Sequence, residues 1–158
     1  MKHQVGAAMP KCFENWCRRF DDLFSRQTQR QAFRIYLGGL LGESQRKNIN
    51  QITSNTVDSS YNQVRHFLND APWDEAKLNQ RRIEVMESCR QTKPQAGFTL
   101  ILDDSGHRKS GDATDGVGRQ YIGEIGKTDN GIVVLTTHLY DGVRKLPLDV
   151  ALQVPGLE

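Results

Sequence analysis

Along the front of the chain, apolar positions return at three- and four-residue steps, the period of a helix with one face buried. Phe13, Trp16, Cys17, Phe20 and Phe24 form one such face. Phe33, Tyr36, Leu37, Leu40 and Leu41 form a second, on a helix expected from about Arg26 to Leu41. Gly38 and Gly39 weaken the end of that helix, and Gly42 suits its C-cap. A short helix is expected from Lys47 to Thr53. Asp58, Ser59 or Ser60 can cap the next, which carries Tyr61, Val64, Phe67 and Leu68 and which Pro72 stops. Trp73 and Asp74 open a longer helix with Leu78, Ile83, Val85, Met86 and Cys89 inward.

The pattern changes near Thr92–Gly97. Phe98–Leu102 is a short apolar run ending in Asp103 and Asp104, which reads as a buried strand with carboxylates at its end. A glycine-rich loop is expected from Ser105 to Gly118, then a strand over Gln120–Ile125. Asp129-Asn130-Gly131 predicts a turn, Ile132–Tyr140 a β-branched strand, Asp141-Gly142 a hairpin turn, and Arg144–Val154 a further extended piece. The fold class is therefore α+β, with a helical domain over 1–95 and a strand-rich one over 96–158.

Charge sharpens that division. Residues 1–95 hold 15 Lys/Arg against 10 Asp/Glu, a net of +5, and residues 96–158 hold 6 against 9, a net of −3. A basic front and an acidic back suit a DNA-gripping half and a carboxylate-bearing half. No apolar run approaches the roughly 20 residues of a membrane helix, and Met1–Pro10 lacks the apolar stretch of a secretory signal. A soluble intracellular protein is expected. The cysteines, Cys12, Cys17 and Cys89, are odd in number and form no Cys-x-x-Cys pair. A zinc site would need His3, His66, His107 or His138 as well. Cys17 and Cys89 fall on apolar faces and read better as buried thiols.

The basic residues of the front half carry two readings. Arg18, Arg19, Arg26, Arg30 and Arg34 lie on the polar faces of the first two helices. Arg46, Lys47 and Arg65 surround a short-helix, turn, helix arrangement. As a helix-turn-helix it would lay Tyr61–Leu68 in a groove with Asn62, Gln63, Arg65 and His66 outward. The other reading is a solvated face with intrahelical pairs. Lys109 and Arg119 join the DNA-binding candidates. Asp103 and Asp104 likewise read in two ways: strand-end carboxylates can hold Mg²⁺ or Mn²⁺ for phosphoryl transfer, while Asp-Asp-Ser-Gly is also good turn chemistry. Gly116-Val117-Gly118 lacks the spacing and the following helix of a phosphate loop.

In order, these motifs resemble insertion-sequence transposases of the seven-hundred-one family within the DDE superfamily, over roughly Phe20–Pro155. Tyr36-Leu37-Gly38-Gly39-Leu40-Leu41 looks like the family's leucine-glycine helix, and Arg46-Lys47-Asn48 looks like its Arg/Lys-Asn turn. Phe67-Leu68 with Trp73-Asp74 looks like its Leu-Leu and Trp-Asp step. Leu102-Asp103-Asp104-Ser105-Gly106 looks like its Asp-Asp-Thr-Gly strand end. Lys109-Ser110-Gly111 and Gly116-Val117-Gly118-Arg119-Gln120-Tyr121 resemble the loop and strand that follow. The resemblance implies an RNase H-like sheet, divalent metal, and cleavage and joining of double-stranded DNA. It assigns Asp104, with Asp103 beside it, to the first catalytic and metal-binding carboxylate. The family's second Asp and its Glu come later than Glu158, which itself stands in the wrong segment to serve. The expectation is thus the first strands of a truncated catalytic sheet, inactive alone. The first strand would pair with the second on one side and be left with an unpaired ladder on the other, and a homo-oligomer or a second chain would complete the sheet. His107 and Asp115 depart from the family pattern. The alternative is an inactive, repurposed fragment that binds DNA or a partner.

Overall fold

The computed structural model describes residues 10–54, 60–95 and 97–156. Helices come first and an antiparallel sheet follows, an α+β order. The contacts divide the chain into two compact units, Met1–Arg81 and Arg82–Glu158, and the border falls inside a helix.

In the first unit α1 (Lys11–Cys17) runs into a 3-10 turn over Arg18–Leu23, so the expected first helix is two pieces. Then come α2 (Gln27–Leu41), α3 (Ile49–Ser54), α4 (Tyr61–Asn69) and α5 (Glu75–Ser88). The apolar periodicity becomes a connected set of rings. Phe33 meets Phe20 at 5.5 Å and Phe24 at 5.0 Å between centroids, Phe24 meets Phe67 at 5.6 Å, and Phe67 stacks on Trp73 at 5.3 Å. Such pairs add about 0.5–1.5 kcal/mol each beyond the area they bury. The Trp73 indole N–H also donates to the Phe67 carbonyl at 2.7 Å, so the turn that carries Pro72 is tied back onto α4.

Charged groups fix the outer layer. The Arg34 guanidinium reaches Glu14 at 3.0 Å and forks onto both Asp21 oxygens at 2.8 and 3.0 Å, clasping α1 and the 3-10 turn to α2. Arg30 donates twice to the Phe24 carbonyl, at 3.2 and 3.0 Å, where the 3-10 turn ends. Arg81 forks onto Asp22 at 2.7 and 2.8 Å and holds that carboxyl below the usual range. Arg30 and Arg34 are therefore structural, and the intrahelical pairing expected of the polar face is for Arg34 a pairing between elements. Cys17 is buried, and burial pushes its thiol up to about 11. Cys89 is only half-buried and lies just past the end of α5, and Cys12 is exposed.

Several local expectations gain a cause. Asn48 Oδ1 accepts from the Gln51 N–H at 2.9 Å, an N-cap that starts α3. Asp74 Oδ1 accepts from the Lys77 N–H at 3.0 Å and starts α5 in the same way, and that bond lowers the Asp74 carboxyl. Gly42 does end α2, with its N–H on the Gly38 carbonyl at 3.0 Å, but its φ of −69° is one that any residue adopts. Ser60 stands at the N-cap of α4 without a side-chain capping bond, and the other two expected caps, Asp58 and Ser59, lie outside the described residues.

The second unit centres on β3 (Lys127–Tyr140). β1 (Thr99–Arg108) runs antiparallel along one side of it, from Thr99 opposite Tyr140 to Arg108 opposite Gly131. The other side takes β2 (Gly118–Ile122) opposite 127–131 and β4 (Lys145–Gln153) opposite 133–140, end to end. Four expectations change. The first strand does not end at Leu102 but continues through both aspartates to Arg108, because its backbone pairs without a break against β3. It is also not buried. It pairs with the third strand rather than the second. Asp129-Asn130-Gly131 lies inside β3, and the turn before it is a 3-10 turn over Gly123–Ile125 closed by Gly126 at φ 65°. The Asp141-Gly142 hairpin forms as expected: Gly142 has φ 90°, and Asp141 Oδ1 accepts from the Arg144 and Val143 N–H groups. Arg82 donates to the Pro147 and Leu148 carbonyls at 2.6 and 2.7 Å, securing the second half of α5 to the start of β4.

Gly39 offers a sharp test of the helical packing. A Cβ there would lie 2.2 Å from Ile52 Cγ2 and 3.0 Å from its Cα, so the glycine lets α3 approach α2. Gly→Ala inside a free helix is favourable by about 1 kcal/mol. Here overpacking against a buried β-branched residue prevails, and Gly39→Ala should lower stability by about 1–3 kcal/mol in denaturant titration. An unchanged or higher midpoint would show that α3 does not seat on α2 in this way.

Candidate functional site

The carboxylates that the sequence singles out sit at the middle of β1. Asp103 stands opposite Thr136 and Asp104 opposite Leu135. Successive residues of a strand point to opposite faces. Asp104 therefore shares its face with Leu102, Gly106, Leu135 and Val133, and Asp103 shares the other with Ile101, Ser105 and Thr136. The Thr136 hydroxyl donates to the main-chain oxygen of Asp103 at 3.1 Å. Both aspartates are exposed. One cation cannot be held by the two side chains together while the strand stays regular. Among the described residues no group of three or more His, Cys, Asp or Glu side chains could hold a metal. Mg²⁺ can make do with one or two carboxylates only where substrate phosphates complete its shell. By themselves, then, these residues do not fit a divalent-metal site.

Around Asp104 the surface is apolar. Leu100, Leu102 and Leu135 on its face are 53%, 63% and 43% exposed. Val133, by contrast, is buried with Ile122 against the close approach of Gly106 and Gly131. Among the described residues β1 pairs on one side only, and its outer N–H and C=O groups form an open edge.

The loop and strand that follow are scaffolding. Gly116 has φ 72°, and a Cβ there would lie 2.5 Å from Leu152 Cδ2. Gln120 is buried and donates to the Gly131 carbonyl at 2.7 Å. Gly118 begins a strand, not a helix, in keeping with the rejection of a phosphate loop. Asn130 Nδ2 donates to the Lys109 and Gly111 carbonyls, each at 3.0 Å, and so holds the backbone of Lys109. Arg119 projects from β2, exposed. His107 faces Glu124 at 3.8 Å, and Arg108 pairs with Asp129 at 3.0 Å.

In the helical unit, α4 buries Val64 and Phe67 and turns Asn62, Arg65 and His66 outward, with Gln63 half-buried. His66 Nδ1 lies 3.1 Å from Asp70. Arg46 uses its main-chain N–H on Gln51 Oε1 at 3.0 Å, and its side chain is exposed. Lys47 donates to the Gly42 carbonyl at the end of α2, so its ammonium is partly occupied. Sequence reasoning missed that Asn48, beside these two, is the α3 cap. The signal was present: Asn followed three residues later by Gln, ahead of an apolar position.

Residues 19–157 match the family model described as DDE superfamily endonuclease. A protein of Microchaete diplosiphon named as probable transposase for insertion sequence element IS701 is 34% identical over 128 residues, which are 81% of this chain and 33% of that protein. The chain thus spans about a third of the length of the curated relative it matches. No solved structure matches. With the match running from the 3-10 turn to the end of the sheet, the chain belongs to the DDE superfamily of endonucleases, the family its ordered motifs resemble.

Proposed function

We propose that this chain is the N-terminal part of a DDE-type DNA transposase. Its helical unit binds duplex DNA, and strand cutting and joining need carboxylates from outside the described residues. The observation that carries the reading is the outward face of α4, where Asn62, Arg65 and His66 stand opposite buried Val64 and Phe67, following exposed Arg46 and a basic front half. Arg and Asn at such positions suit phosphate and base-edge contacts. Lys109 and Arg119 extend the basic set in the second unit. In this reading Asp104 is the first catalytic carboxylate, and Asp103, on the opposite face, supports the strand. Mg²⁺ or Mn²⁺ is the metal that the family implies.

A second reading is a catalytically inactive protein that binds DNA or a partner. What favours it is the separation of Asp103 and Asp104 onto opposite faces, with neither belonging to a group of three or more metal-ligating side chains among the described residues. No described helix is long and apolar enough to cross a membrane, and work on DNA in the bacterial cytoplasm suits both readings.

Three outcomes test the proposal. Retention on labelled duplex should fall steeply with salt, because phosphate neutralisation releases counterions, and Arg46→Ala and Arg65→Ala should each lower the slope by about 0.9. Equal retention at low and high salt would sink the DNA-binding reading. Next, the chain alone with Mg²⁺ or Mn²⁺ should leave labelled DNA uncut. Robust cleavage that vanishes in Asp104→Ala would overturn the need for outside carboxylates. Finally, the open β1 edge with Leu100 and Leu102 exposed beside it invites another strand. Light scattering should therefore show a homo-oligomer, or a complex once a partner chain is supplied. A monomer at micromolar concentration with slow amide exchange on both edges of Thr99–Arg108 is the result that would defeat it.

A further inference from the structure

A cleft of about 60 Å³ opens in the helical unit between the start of α2 and α4, with Arg26, Thr28, Gln29, Gln63 and His66 as its polar lining and apolar residues, Phe67 among them, forming the rest of the wall. Gln29 is only 5% exposed. Its Oε1 accepts from the Arg26 main-chain N–H at 3.0 Å and from Ser25 Oγ at 3.2 Å. Those bonds set the orientation of the amide, since turning it over would put an NH₂ group against an N–H. The Nε2 group, on the other arm, is buried and has no acceptor among the described residues. An unmet buried donor costs about 1–3 kcal/mol. An acceptor from outside the described residues would satisfy it.

The surroundings say which kind. Arg26 is the N-cap of α2 and offers no oxygen, so the first-turn N–H groups of this 15-residue helix have no side-chain cap. The helix dipole adds partial positive charge at the same end. The Arg26 guanidinium, the Thr28 hydroxyl, the Gln63 amide and the His66 ring line the cleft with it. The neighbouring carboxylate, Asp70, is engaged by His66 Nδ1 at 3.1 Å. Room for one water is roughly 10–15 Å³ on this measure, so the cleft holds more than one. The donors outnumber the acceptors, and that is the chemistry of an oxyanion.

We propose that this cleft is a phosphate site, in which Gln29 Nε2 and the first turn of α2 take the anionic oxygens of one DNA backbone phosphate. The proposal rests on the DNA-binding reading for its ligand, though not for its chemistry. Gln63 and His66 belong to the same helix as Asn62 and Arg65, so a phosphate held here would fix the register of α4 on the duplex.

The test uses the full chain in phosphate-free buffer. Gln29→Glu keeps the oxygen that Arg26 and Ser25 bind and replaces the buried donor with an anion. Its duplex affinity should drop about tenfold, and its slope of log affinity against log salt should shrink by about 0.9, one phosphate lost. In the wild-type protein, inorganic phosphate and duplex should each move the Gln29 side-chain NH₂ resonances and the Gln27 and Thr28 amides. If phosphate moves them and duplex does not bind, the cleft stands and the DNA reading falls. If neither probe moves them, the proposal is overturned and the cleft holds water only. The wild-type resonances decide the matter even where Gln29→Glu fails to fold.

Discussion

Everything the helical unit can present to a partner depends on where Phe67 sits. Its ring packs on Phe24 and stacks on Trp73, and the Trp73 N–H returns to the Phe67 carbonyl. With Val64 one turn earlier, that contact sets the rotation of α4 about its own axis. Once Val64 and Phe67 point in, Asn62, Arg65 and His66 have nowhere to point but out. Truncating a buried ring of this kind costs about 3–5 kcal/mol. The polar face is thus a consequence of apolar packing rather than a separate feature. The ion pairs Arg34–Glu14–Asp21 and Arg81–Asp22 act on the same core from outside. They hold α1, the 3-10 turn and α5 against the elements that carry the rings.

In the second unit the corresponding constraint is the backbone of β3. Fourteen residues long and lined by β1 on one side and by β2 and β4 on the other, it decides how far its neighbours stay extended. β1 continues past Leu102 because β3 offers partners as far as Gly131. That continuation separates Asp103 from Asp104. A chain that turned at Asp103 could bring two carboxylates together, whereas a chain that stays a strand cannot. The chemistry open to the site therefore follows from a ladder of main-chain hydrogen bonds, and the aspartates' own preference for turns loses to it.

Which features were legible in the sequence follows the same division. The helices were legible because their apolar period is local, and Val64 and Phe67 on α4 announce its buried face without outside help. On α2 the face was misread, since Ala32, Phe33, Ile35, Gly38 and Gly39 are buried while Leu41 is 77% exposed. The hairpin at Asp141-Gly142 was legible because the turn chemistry is carried by the turn residues themselves. β1 was misread where the local signal opposed the tertiary one. Asp-Asp-Ser-Gly favours a turn in isolation, and only pairing with β3 makes it extended. Asp129-Asn130-Gly131 was misread for the same reason: Asn130 has its side chain committed to Lys109 and Gly111 and its backbone to the sheet. The Gln29 cleft had no sequence signature at all, since a buried donor without an acceptor appears only when the side chains are in place.

The motifs that identify the family turn out, residue by residue, to be mostly architecture. Asn48 caps α3, Trp73 ties the α4–α5 turn and Asp74 caps α5. Gly39 admits Ile52, Gly116 admits Leu152, and Gln120 secures β2 to β3. A resemblance built on such positions is good evidence for fold, because each position is fixed by geometry that another side chain would break. It is weaker evidence for chemistry, because none of these groups is free to meet a substrate. The residues that can meet one, Asn62, Arg65, His66, Arg119 and the two aspartates, are those whose side chains the fold leaves exposed. Membership in the family is therefore read mostly from motif positions that build the fold, and any contact with a substrate has to be read from the side chains the fold leaves free.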